Sequence, residues 1–92
     1  MNDHDYAIAW TSTARRALTR LPEKVATAAV EFIYGPLARS PALVGRPLRF
    51  ELDGLHSAHR GDHRVMYRIG EPERRVDIVT IEHRADVYRR RA

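Results

Sequence analysis

Four of the five histidines and most of the arginines of this 92-residue chain fall in its second half, and their spacing sets the first question about its chemistry. In His63-Arg64-Val65-Met66-Tyr67-Arg68-Ile69, the side chains Val65, Tyr67 and Ile69 alternate with Arg64 and Arg68. A period of two places the apolar set on one face of a strand and the two arginines on the other. A row of cations on a bare sheet face has two explanations. It is solvated charge paired across strands with Glu51 or Asp77, or it is a floor for phosphate, whose geometry the planar guanidinium fork matches. Further on, His83-Arg84-Ala85-Asp86-Val87-Tyr88-Arg89-Arg90-Arg91 leaves one aromatic ring among cations. Single-stranded nucleic acid is recognised by such a mixture, because the ring stacks on a base while arginine holds the backbone. A terminal arginine run also serves simply to keep a chain soluble.

Composition narrows the field. Apolar residues make up 43% and charged residues 30% of the chain, a globular mixture with room for one modest core, so residues 1–92 are expected to form a single domain. The absence of cysteine removes disulfides, thiolate zinc sites and thiol catalysis. The acidic opening Met1-Asn2-Asp3-His4-Asp5 is unlike a secretory signal, and Glu31 interrupts the longest apolar stretch, so the expected compartment is the cytoplasm, with no membrane involvement. Net charge is +4, and fifteen of the sixteen basic residues are arginine, Lys24 being the exception. Residues 1–46 hold six basic against four acidic residues and residues 47–92 hold ten against eight, so each half nets +2. Placement, rather than overall charge, must therefore carry any argument for a polyanionic partner.

The elements that position these residues can be read in order. Tyr6, Ile8 and Trp10 alternate with alanines as a short strand. Thr11-Ser12-Thr13 offers cap hydroxyls to a helix whose apolar stripe is Ala14, Ala17, Leu18 and Leu21 and whose far side carries Arg15, Arg16 and Arg20. Leu21-Pro22 opens a second helix with the stripe Val25, Ala29, Phe32 and Ile33. Gly35-Pro36 should end or kink it, unless Leu37-Ala38-Arg39 continue the helix until Ser40-Pro41 stops it. Strand patterns follow: Leu48, Phe50 and Leu52; the weaker His56 to Arg60; the run from His63 to Ile69; and Arg75 to Ile81, apolar enough to be central in the sheet. Turns fall at Asp53-Gly54 and Gly61-Asp62. The order β-α-α-β-β-β predicts an α+β fold, an antiparallel sheet with an N-terminal helical hairpin on one face.

The set Arg46-Pro47-Leu48, Gly54-Leu55, Arg60-Gly61-Asp62-His63-Arg64-Val65-Met66-Tyr67-Arg68-Ile69 and His83-Arg84-Ala85-Asp86-Val87-Tyr88-Arg89-Arg90 resembles the RelE/ParE superfamily of type II toxins, over roughly residues 6–90. The resemblance implies a RelE-like microbial RNase fold with the active face on the side of the sheet opposite the helices. RelE-like members are ribosome-dependent endoribonucleases that cut mRNA in the decoding site, beside its 16S rRNA, and are held inactive in hetero-oligomers by a RelB-like antitoxin. ParE-like members share the fold and poison DNA gyrase; a non-catalytic RNA-binding module is a third reading. The His-Arg-x-x-x-Tyr tail favours the RelE-like side.

Carried over by position, the resemblance implies that Arg64, Arg84 and Tyr88 are catalytic. The two lysines of the best-known members are missing, with Leu55 and Ser57 standing near their places, so His56, His59, Arg60 or Arg49 would have to substitute. Cleavage without metal or cofactor needs a base for the 2′-hydroxyl, a cation for the phosphorane oxygens and a stabiliser for the leaving 5′-oxygen. Arginine stays protonated and suits the second role, whereas histidine as a residue type exchanges protons near neutral pH, so the candidate proton acceptors are His83 and His59. His63 is expected on the helix-facing side in a structural role, and Tyr88 is expected to stack on a base, which needs no pKa shift, or else to transfer a proton. Arg46, Arg49, Arg60 and Arg68 are the expected RNA-binding cations, with Arg15, Arg16 and Arg20 only solvating a helix.

Overall fold

In the computed structural model, the structure describes residues 5–48 and 54–83. Thr11 begins the helical hairpin and also anchors it: its hydroxyl oxygen accepts from the Ala14 amide at 3.1 Å, capping helix α1 (Ser12–Thr19), and lies 3.0 and 2.8 Å from the carbonyls of Ile78 and Val79. One short polar side chain thus satisfies a helix-end donor and ties that end to the sheet. Helix α2 (Glu23–Phe32) buries Ala29 and packs Phe32 against the same core as Ala17, Leu18 and Leu21 of the first helical segment. Arg15, Arg16 and Arg20 are exposed.

Gly35-Pro36 does not end the second helix. Ile33–Leu37 form a π turn that carries the helical path through Pro36. A π turn closes i→i+5 hydrogen bonds, and this wider loop accommodates both the donor that proline lacks and the bulk of its ring. The path continues to Arg39 and stops at Ser40-Pro41, where Pro41 occupies the first turn of the short helix α3 (Pro41–Val44). The π turn has a packing consequence. It buries Ile33 and Leu37 completely and sets the Ala38 carbonyl 2.8 Å from the Tyr6 amide, at the entrance to the first strand.

Five strands form one sheet: β1 (Ala7–Trp10), β2 (Arg46–Pro47), β3 (His56–Arg60), β4 (His63–Gly70) and β5 (Arg75–His83), in the order β1-β5-β4-β3-β2. The α+β class with a helical hairpin on one face is as expected, with one refinement: β1 pairs with β5 in parallel, and the other pairings are antiparallel. Of the expected strand through Leu48, Phe50 and Leu52, residues 49–53 lie outside the described residues; Leu48 continues the β2 edge by donating to the Leu55 carbonyl at 2.8 Å. Between β3 and β4, the two-residue turn Gly61-Asp62 takes a φ of 63° at Gly61, which glycine adopts without strain.

The helix-facing side of the sheet contributes Ala58, Val65, Tyr67, Val76, Ile78 and Ile81 to the core. Ile78 and Ile81 are three residues apart, which strict alternation forbids on one face. A β-bulge resolves the conflict: Met66 pairs with Thr80 and Tyr67 with Ile78, leaving Val79 as an extra residue in β5. The Val79 carbonyl in this bulge is one of the two that Thr11 contacts.

Candidate nucleic-acid interface

Residues directly opposite one another in an antiparallel ladder project to the same face. His59 is opposite Arg64, and Arg64 is opposite Glu82, so these three form a row across β3, β4 and β5 on the face away from the helices. Ser57 and Met66 form the next row, extended at the β2 edge by Arg46, which pairs with Ser57. Arg68 lies further along β4, opposite Asp77.

The cations of this face differ in setting. Arg46 and Arg68 are exposed. The Arg64 side chain is only 22% exposed and stands 3.9 Å from the Glu82 carboxylate, itself 7% exposed. Its Nε is buried and has no hydrogen-bond partner among the described residues. Asp77, the expected counter-ion, instead accepts from Arg75 at 2.9 and 3.4 Å, which raises the arginine's already high pKa. A sunken guanidinium that keeps part of its side chain exposed, flanked by an exposed histidine, can bind one phosphate oxygen and exchange a proton beside it.

Two residues do not join this face. His83, an expected proton acceptor, pairs with His63, and the rings meet edge to face with centroids 4.9 Å apart on the helix-facing side. Arg60, an expected RNA-binding cation, also pairs with His63 and lies over the Phe32 ring at 5.9 Å. His63 is helix-facing as expected. The displacement of His83 follows from the bulge, because unbroken alternation from Ile78 would turn residue 83 outward and residue 82 inward. Arg60, His63, Lys24, Val25 and Ala28 instead line a cleft between α2 and the β3–β4 turn. Arg49, Arg84 and Tyr88 lie outside the described residues.

Glu82 is the member of the row that the pattern of the sequence did not single out. Its only signal is a carboxylate directly after the apolar run of β5, and its face depends on a bulge that alternation does not announce. Tyr67, the aromatic residue of β4, belongs to the core. Its hydroxyl donates to the Pro41 carbonyl at 2.6 Å, and burial pushes its pKa up to about 12. Among the described residues, no group of three or more His, Asp and Glu side chains is placed to hold a metal ion, and no helix is long and apolar enough to cross a membrane.

Comparison with known proteins gives a consistent picture. Residues 8–88 match the family described as the ParE toxin of type II toxin–antitoxin systems. The chain is 53% identical over 88 residues to Toxin RelE of Mycobacterium tuberculosis, covering 96% of this chain and 91% of that protein. It is 49% identical over 85 residues to Toxin RelG of the same organism, covering 92% and 98%. Among solved structures, a chain of the toxin–antitoxin complex RelBE2 from M. tuberculosis superposes with a TM-score of 0.86 at 46% identity, over 92% of this chain and 98% of that one. A chain of the ParDE system of P. aeruginosa, at 21% identity, shares the fold, with a TM-score of 0.67 over 88% and 98% of the two chains. A sheet with one helix-covered face and one cationic face, matched along nearly its whole length by these relatives, identifies the chain as a member of the ParE toxin family of type II toxin–antitoxin systems, within the RelE/ParE superfamily.

Proposed function

We propose that this toxin is a ribosome-dependent endoribonuclease that cleaves translated mRNA in the cytoplasm. The row His59–Arg64 on the open face carries the reading, because it combines a proton acceptor with a sunken phosphate-binding cation. Identity near 50% to toxins named RelE and RelG supports it over gyrase poisoning, since the fold itself is common to RelE and ParE chains. In this reading His59 removes the proton from a 2′-hydroxyl, whose oxygen attacks the adjacent phosphorus. Arg64 offsets the charge that develops on the phosphorane oxygens. The bond to the 5′-oxygen breaks, and that oxygen takes up a proton, leaving a 2′,3′-cyclic phosphate and a free 5′-hydroxyl without a metal or cofactor. Arg46, Arg49 and Arg68 are assigned to hold the backbone, Arg84 to stabilise the leaving oxygen, and Tyr88 to stack on a base. A RelB-like antitoxin with an acidic segment covers the cationic face in a hetero-oligomer.

Mapping transcript ends after brief expression tests the proposal. New ends within codons of translated mRNA are expected. Double-strand DNA breaks with intact mRNA would sink it in favour of the gyrase-directed activity of ParE-like toxins.

A further inference from the structure

We propose that Glu82 is a positioning residue for Arg64, fixing the guanidinium on the open face while leaving its hydrogen-bond donors available to a phosphate. The catalytic half of this inference rests on the mRNA-cleaving reading; the geometric half does not. Three observations converge. The bulge at Val79 turns Glu82, rather than His83, toward the open face, in register with Arg64 and His59. The Glu82 side chain is 7% exposed, and a carboxylate is kept at that depth at high cost unless a cation stands beside it. The separation from Arg64 is 3.9 Å, within the range of ion pairing and beyond that of a hydrogen bond. The carboxylate therefore orients the guanidinium without occupying its fork; Nε is buried, so a phosphate would meet the 22% of the Arg64 side chain that stays exposed. The exposed arginines of the face, Arg46 and Arg68, form no ion pair among the described residues and suit a looser grip on the backbone.

A counter-ion that orients a cation also weakens its hold on an incoming anion, so its removal separates binding from turnover. Full-length Glu82→Gln is compared with wild type for cleavage of mRNA on stalled ribosomes. Turnover is expected to fall roughly ten- to a hundredfold through misplacement of the cation, while KM stays the same or decreases. Glu82→Asp, which keeps the charge on a shorter arm, should recover part of the loss and covers the case in which the glutamine variant folds poorly. In an Arg64→Ala background, Glu82→Gln should cost nothing more, because the residue acts through Arg64. A folded Glu82→Gln with unchanged kcat, an additive loss in the double variant, or a displaced acid limb of the pH profile would each overturn the proposal, the last by making Glu82 a proton acceptor in its own right. The NMR signal of the Arg64 Nε–H group, assigned by its loss in Arg64→Ala, gives a readout independent of activity. It should lie apart from the other arginines in wild type and merge with them in Glu82→Gln. If wild type cuts no mRNA, the functional reading fails, and this signal alone decides the positioning role: persistence in Glu82→Gln refutes it.

Discussion

On β4, Tyr67 and Arg64 stand three residues apart on opposite faces of the sheet and show two uses of burial. Tyr67 is completely buried under the helices, its hydroxyl donating to the Pro41 carbonyl and its ring stacked at 5.5 Å on His56. Arg64 is sunk to 22% exposure on the other face, held by an ion pair too long to be a hydrogen bond. Packing on the covered face fixes one arrangement; on the open face it fixes a cation and leaves part of its bonding capacity unused. Substitutions on the covered face should therefore cost stability, and substitutions on the open face should cost activity.

The comparison breaks most completely at the bulge. Inserting one residue between Thr80 and Ile81 moves every later side chain of β5 to the other face, expelling Ile81 from the core and turning Glu82 inward. The loss is expected to reach about 3–5 kcal/mol, most or all of the margin of a small domain, read as lost cooperative unfolding. Gly45→Ala comes next. A Cβ there would overlap the Tyr67 hydroxyl and lie 2.8 Å from the Ser57 carbonyl oxygen. Overpacking of this kind costs about 1–3 kcal/mol and should appear as a lower denaturation midpoint.

Tyr67→Phe removes one hydrogen bond and strands the Pro41 carbonyl, at a cost of about 1–2 kcal/mol. It also changes the alkaline limb. The folded chain holds the Tyr67 proton to about pH 12, whereas an unfolded tyrosine releases it near 10.0. This contribution is complete below pH 10 and is lost as the pH rises toward 12, because the unfolded chain gives up its proton first. Urea midpoints measured from pH 9 upward should fall less steeply in the variant. The smallest stability effect belongs to His59→Gln, at an exposed site, where a change within about 0.5 kcal/mol is expected. Its effect on cleavage should be far larger, and a fully active variant would remove His59 from the catalytic row.

The legibility of the molecule follows from how local each determinant is. The helical hairpin was readable because its cap, its apolar stripes and its proline breaks lie within single turns of chain. The outward placement of Arg64 and Arg68 was readable because the alternation of β4 is unbroken on their side. The π turn was not, since Gly35-Pro36 is equally compatible with an end, a kink or a continued helix; it persists because Ile33 and Leu37 on either side of Pro36 are completely buried. The parallel β1–β5 pair joins segments nearly seventy residues apart and leaves no mark on either. That His83 lies off the open face and Glu82 on it has one cause. The face of both is decided at Val79, where Thr11 makes contacts across 67 and 68 residues of sequence.

That single extra residue acts on the sheet as a frameshift acts on a coding sequence. Everything downstream of Val79 keeps its order and changes its meaning, so that Glu82 faces the exterior and His83 the helices. An alignment of relatives that ignores the bulge will compare residues exposed to different partners, however well the letters match. A relative of equal length without it would present the residue at position 81, rather than the one at 82, opposite its counterpart of Arg64. Divergence in the chemistry of such toxins can then arise from a one-residue slip of register in a strand, with no substitution in the site itself.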